Sequence, residues 1–166
     1  MPIEIRRDGA QSTYQSTRRA HWDAVEKTSD GWHGVGGYYH RRLIDVYQFL
    51  VTPGQSIIEL GCGRGDLLAA LKPSTGVGVD FSSEAIRRAR TRHPSLEFIE
   101  SDVHDVDVDR SFDVVILSDL VNDLWDVQTV LERVGRLSHP RTRIILNWFS
   151  HLWGGAFAAA KALRLK

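Results

Sequence analysis

Glycines at 61, 63 and 65 stand between two acids, Glu59 and Asp66, at the end of the apolar run Ile57-Ile58-Glu59-Leu60. A loop of this composition brings backbone against a ligand, because glycine turns sharply and has no Cβ to hold the ligand off at the carboxyl end of a buried strand. A dinucleotide fingerprint would space its glycines G-x-G-x-x-G and open a helix N-terminus to a pyrophosphate. Here the spacing is G-x-G-x-G, and position 66 is an aspartate. Acids on both sides of the loop disfavour a pyrophosphate and favour a nucleotide-like ligand that carries a cation. Glu59 has a second use as a buried acid accepting loop amides, and Cys62 suits a small residue filling a tight turn. It is the only cysteine, so one chain holds no disulfide.

Three further strand-like runs end in residues that suit the same ligand. Gly76-Val-Gly-Val-Asp80-Phe81-Ser82 places a carboxylate about 20 residues after the loop, the distance at which an acid can accept both hydroxyls of a ribose. The competing use of Asp80 is the cap of the following helix, although Ser82 or Ser83 can serve there. Leu96-Glu-Phe-Ile-Glu-Ser-Asp102-Val103 is shorter, and Phe112-Asp-Val-Val-Ile-Leu-Ser118 is a continuous apolar run of the kind buried on both faces of a parallel sheet.

At these four motifs the chain resembles the class I S-adenosylmethionine-dependent methyltransferases, whose ligand carries an ammonium and a sulfonium. The resemblance implies that Glu59, Gly61, Cys62 and Gly63 form the cofactor loop and that Asp80 holds the ribose. Phe81 would stack on adenine, Asp102 would accept from its amino group, and the Val103 amide would reach the ring. Ser118 and its neighbours would pass beside the methionine part. Tyr38-Tyr39-His-Arg-Arg-Leu and Ile116-Leu-Ser-Asp-Leu-Val-Asn-Asp-Leu-Trp-Asp are similar to a bacterial group associated with glycosyltransferases. Tyrosines at the position of Tyr39 reach the cofactor carboxylate or line the acceptor side in that family; core packing is the alternative, since a buried tyrosine needs a hydroxyl partner in either case.

The expected frame is an α/β fold, a Rossmann-like doubly wound parallel sheet of order 3-2-1-4-5 with helices on both faces and an N-terminal helical cap. Helices are predicted over Tyr39 to Phe49, Gly65 to Leu71, Ser83 to Thr91 and Asp126 to Leu137. Turns are predicted at Thr52-Pro53-Gly54, Lys72-Pro73-Ser74, His93-Pro94-Ser95 and Ser138-His139-Pro140, with a fifth strand over Ile144 to Asn147. Residues 1–37 form an N-terminal helical or lid segment, in which the glycines of Gly31-Trp-His-Gly-Val-Gly-Gly37 permit a mobile loop, and 38–166 form the cofactor-binding domain. The family's sixth and seventh strands are expected to be missing, which leaves the fifth strand as an exposed edge and suggests a homodimer through it or through a C-terminal helix. The tail from Trp148 to Lys166 suits either a helix covering the sheet or a basic amphipathic surface helix.

Methyl transfer is a displacement at carbon that needs an acceptor held in line, about 3 to 3.5 Å from the methyl, and no dedicated nucleophile. A hydroxyl or protonated amine acceptor also needs a base, and His33, His40, Asp119 and Asp123 are candidates by location. The expected acceptor is a small molecule or glycan-related compound. With 21 basic and 21 acidic residues there is no charge footprint for nucleic acid. No metal is expected: Asp102, Asp105, Asp107 and Asp109, with His104 among them, lack the glycine and terminal glutamate of a calcium loop. The absence of an 18-residue apolar run and of a signal-like start makes a cytoplasmic protein the default. Two other functions fit the same residues: a cofactor-binding or interaction module without turnover, and a nicotinamide-dependent oxidoreductase, which the loop's charge and spacing disfavour.

Overall fold

Runs rich in Ile and Val, buried on both faces, pair side by side and leave their polar ends at one edge of the sheet. A computed structural model describes residues 8–28 and 34–148. The strands are β1 (Ser56–Leu60), β2 (Thr75–Asp80), β3 (Glu97–Glu100), β4 (Phe112–Ser118) and β5 (Ser138–Asn147), all parallel in the order β3-β2-β1-β4-β5. The order expected from the sequence is the one observed. The strand order splits between β1 and β4, where Ile57 pairs with Val114 and Glu59 with Ile116, so a crevice opens above the carboxyl ends of these two strands.

Helices α1 (Asp8–Thr28), α2 (Gly34–Leu50), α3 (Asp66–Ala70), α4 (Ser83–Arg92) and α5 (Val127–Arg136) complete the layers. Because successive strand side chains point to opposite faces, β1 and β4 supply two cores. Ile57, Val114 and Ile116 pack with Tyr47 of α2 and Val51 just after it, Leu68 of α3 and Ile86 of α4. Ile58, Leu60, Val115 and Leu117 face the other way, onto Val130 and Val134 of α5. Helix starts follow the side-chain chemistry: Ser82 caps α4 by accepting from the Ala85 amide, and Asp126 caps α5 by accepting from Thr129 at 3.1 Å.

Two sequence expectations need correction. The fifth strand begins at Ser138 and not at Ile144. Ser138 pairs with Phe112, the next aligned pair is Val114 with Arg143, and the residues between them bulge. Pro140 has no N–H for a ladder, which an edge strand tolerates; the His139 amide donates to Thr142 Oγ1, and that hydroxyl donates to the Phe112 carbonyl at 2.6 Å. The turn signal was thus a bulge within a strand. Likewise Gly34, Gly36 and Gly37 are not loop residues but the first turn of α2, so the boundary drawn at residue 37 falls inside a helix. His33 and Trp32 of the predicted lid, and Phe149 to Lys166 of the predicted terminal helix, lie outside the described residues. No described helix is long and apolar enough to cross a membrane. β5 lies at the sheet edge with Ile144 and Leu146 nearly half exposed.

Candidate functional site

The glycine loop is held by backbone bonds. The Gly61 and Cys62 amides both donate to the Val79 carbonyl, at 2.8 and 3.0 Å, and Gly65 donates to Cys62 at 2.8 Å. Glycine is required at 65 on two counts: φ is +73°, and a Cβ there would stand 2.6 Å from the Phe98 ring. Gly63 also has positive φ, but a Cβ on it would meet no atom within 4 Å. The loop therefore packs tightly below and presents an open backbone surface above, a cradle for a ligand.

Asp80 lies beside this surface. Its Oδ2 accepts from the Gly63 amide and its Oδ1 from the Ser82 amide, each at 2.9 Å. Burial raises its pKa, the two amides oppose that shift, and Glu26 and Asp23 add to it. Glu59 is sealed beneath the loop, where its Oε2 accepts from the Leu68 amide at 3.2 Å. Burial pushes its pKa to about 8, so the carboxyl is mostly protonated at neutral pH. Glu59 therefore does not supply negative charge beside the loop, where Asp66 and Asp80 are the other acids. Cys62 is buried, its thiol pKa raised by burial, with its sulfur where a Cβ on Gly78 would fall.

Phe81, Asp102 and Val103 converge on one small cavity of about 20 Å³, together with Leu120 from beyond β4. The cover over this cavity comes from the N-terminal helical cap expected from the sequence, through Tyr14, Gln15 and Arg18 on α1, residues that the sequence did not single out. α1 is fastened at three places. Arg18 pairs with Asp123, to which the Trp22 indole also donates at 2.8 Å; Ser82 Oγ donates to Asp23; and Glu26 forms a buried ion pair with Arg64 of the glycine loop at 2.6 Å. Neither the polar pattern of α1 nor the spacing of its residues names these partners.

A second group of side chains gathers at the ends of β4 and β5. The Tyr39 hydroxyl donates to the Asp119 carboxylate at 3.0 Å, and Asn147 Nδ2 donates to Asp119 Oδ1 at 2.7 Å. Tyr47 in turn donates to Asn147 Oδ1 at 2.7 Å, and its hydroxyl also meets Ser118. Asp119 has φ of +53°, a strained conformation of the sort found at functional sites. Burial raises its pKa and lowers that of His40, which faces both Asp119 and Asp66. Of the candidate bases, Asp123 is committed to Arg18 and Trp22, whereas Asp119 and His40 stand together near the loop, since Leu120 packs on Gly61. An anionic Asp119 beside Tyr39 suits an ammonium or an acceptor proton better than a cofactor carboxylate.

Among the described residues no group of three or more His, Cys, Asp or Glu is placed to hold a metal ion. An apolar groove of about 280 Å³ opens beside this end of the sheet, between Leu117, Leu146 and Trp148 on one side and Val127 and Leu131 of α5 on the other.

Comparison with known proteins agrees with this fold. A family model described as a methyltransferase domain matches residues 52–162, more than half of the chain. A probable S-adenosylmethionine-dependent methyltransferase of Mycobacterium tuberculosis is 28% identical over 109 residues, covering 62% of this chain and 39% of that protein. A probable cobalt-precorrin-6B C(15)-methyltransferase of Thermoplasma acidophilum is 27% identical, over 64% of this chain and 56% of its own length. The chain thus spans about half the length of the curated relatives it matches. In fold it is similar to magnesium protoporphyrin IX methyltransferase of Synechocystis PCC 6803, with a TM-score of 0.70 at 16% identity over 90% of this chain and 79% of that one. On the matched domain, the strand order and the glycine loop together, the chain belongs to the class I S-adenosylmethionine-dependent methyltransferases.

Proposed function

We propose that this chain binds S-adenosylmethionine across the carboxyl ends of β1, β2, β3 and β4 and directs its methyl group to a small-molecule acceptor, with glycan-related compounds among the candidates. The observation that carries the reading is the open surface over Gly63 beside the amide-braced Asp80 carboxylate, with Phe81 next to Asp80 and with Asp102 and Val103 one strand further along. Asp80 would hold the ribose hydroxyls, and the cavity bounded by Phe81, Asp102 and Val103 would widen to take adenine. Gly61, Cys62 and Gly63 would lie along the cofactor backbone, while Glu59 braces the loop from below. When bound, the cofactor supplies a methyl group on positively charged sulfur. The residues at the ends of β4 and β5 would receive the acceptor. There Asp119, aimed by Tyr39 and Asn147, is the group placed to take a proton from a hydroxyl or amine, with His40 beside it. Small-molecule acceptors are in keeping with the precorrin and protoporphyrin methyltransferases to which the chain is similar.

Calorimetric titration with S-adenosylmethionine and, separately, with NADH at fixed salt tests the cofactor half. Binding of the first alone is expected. Binding of NADH in its place would return the oxidoreductase reading.

A further inference from the structure

Asp102 and His104 stand two residues apart in an acidic stretch whose spacing hinted at a metal, and the fold uses them on each other. His104 is buried, and its Nδ1 lies 2.6 Å from Asp102 Oδ1. Its other ring nitrogen, Nε2, lies 3.2 Å from the backbone amide of Asp126, the cap of α5. A backbone amide can only donate, so Nε2 is the acceptor there, the proton sits on Nδ1, and Nδ1 donates to Asp102. The same Oδ1 also accepts from the His104 amide at 2.9 Å. One oxygen of the carboxylate is thereby clamped twice, which among the described residues leaves Oδ2 as the free acceptor of the carboxylate that lines the cavity with Phe81 and Val103. The histidine is fixed in turn, since Arg133 of α5 donates to its carbonyl at 3.0 Å.

The geometry points to His104 as a positioning residue that aims Asp102 at the exocyclic amino group of adenine and so sets selectivity for a 6-amino over a 6-oxo purine. This rests on the assignment of Asp102 to adenine made above. A carboxylate that could rotate would lose little when the amino group is replaced by a carbonyl. One held in place confronts that carbonyl with an unpaired acceptor, and sites with fixed polar partners reject such analogues strongly. Because His104 is anchored to α5 at two points, the aim of the adenine acid is set from the helix that follows β4.

The test is the ratio of affinities for S-adenosylhomocysteine and S-inosylhomocysteine, measured by calorimetry for each variant. The ratio cancels any loss of folded protein, which a simple drop in affinity would not. Asparagine places a donor near the Nδ1 position, whereas glutamine reaches the Nε2 position. His104→Asn is therefore expected to keep the preference, and His104→Gln and His104→Phe to lower it about tenfold, the worth of one charge-assisted hydrogen bond. If His104→Phe or His104→Gln keeps the wild-type ratio while Asp102→Asn abolishes it, the positioning role is overturned and the adenine assignment stands. If the wild type binds both compounds equally, the assignment of Asp102 falls and takes the inference with it. Failure of the wild type to bind S-adenosylhomocysteine at all would instead reject the cofactor reading.

Discussion

The two ends of the crevice are built by different means. At the end proposed for adenosine, acids are satisfied by nearby backbone: Asp80 by amides at 63 and 82, Glu59 by the amide at 68, and Asp102 by the amide at 104. At the end proposed for the acceptor, side chains from three distant elements hold one another, since Tyr39 and Asp119 are 80 residues apart and Tyr47 and Asn147 are 100 apart. Local bonding fixes a carboxylate wherever the loop folds. Long-range bonding fixes it only when α2, β4 and β5 are all in place. A cofactor site made in the first way can stay constant while the second is rebuilt for a different acceptor.

The sharpest way to break the adenosine end is Asp80→Ala, which strands two amides and removes the ribose acceptor together. Affinity for S-adenosylmethionine should fall by at least about 100-fold, as expected for two hydrogen bonds to a charged group. Unchanged affinity in calorimetry would remove the ribose assignment. Next in size is the latch of α1, where Glu26→Ala leaves Arg64 with its buried carboxylate partner gone, a loss of about 3 kcal/mol or more for a buried pair. Because α1 packs on the site from outside, the cost should appear as local undocking. Hydrogen exchange should then rise in residues 8–28 and stay slow in β1 and β4. Equal loss of protection in both would show that α1 and the sheet unfold as one unit.

That contrast also explains what could be read from the sequence. Strand order, the glycine loop and the place of the acids at 80 and 102 after β2 and β3 were legible because each depends on apolar runs and turn residues within a few positions. Ser82 and Asp126 announce α4 and α5 by capping chemistry in the same local way. The partners of α1 were not legible, since Asp23, Glu26 and Arg18 meet groups 38 to 105 residues away and the helix itself reads only as polar. The start of β5 was misread because Pro140 signals a turn, and only its edge position lets the strand continue through a bulge. Asn147 looked like a strand end and nothing more; its role comes from Asp119 and Tyr47 converging on it.

Glu59 gives the end proposed for adenosine a pH signature. Its folded pKa of about 8 lies above the ordinary 4.5, so the folded state holds a proton that the unfolded chain releases between these values. The stabilisation is complete below pH 4.5 and is lost as pH rises toward 8. Asp80 and Asp119 are shifted in the same direction, whereas Glu84 and Asp113 are shifted down and act below this window; His40, lowered from 6.5 by burial, opposes the decline only up to about pH 6.5 and leaves the upper part of the window to Glu59. Wild-type stability should therefore decline between pH 5 and pH 8. Glu59→Gln keeps an acceptor for Leu68 and removes the titration, so the decline should shrink by on the order of 3 kcal/mol in denaturant unfolding at the two pH values. Parallel slopes would mean that water reaches the carboxyl.

The smallest expected effect tests where the acceptor end begins. Tyr39→Phe removes one donor from Asp119 and leaves the ring, so stability should fall by only about 1 kcal/mol. Asp119 should become still easier to protonate, because the hydroxyl favours its charged form, and an upward shift in the carboxyl carbon titration by NMR would show it. Affinity for S-adenosylhomocysteine should change by less than about threefold, because an aromatic ring keeps the packing and the lost bond points at Asp119. A loss of tenfold or more would move Tyr39 to the cofactor side, as one sequence reading had it. The boundary between the two ends would then run beyond Asp119, and the carboxylate held by that tyrosine would serve the cofactor's ammonium before any acceptor proton.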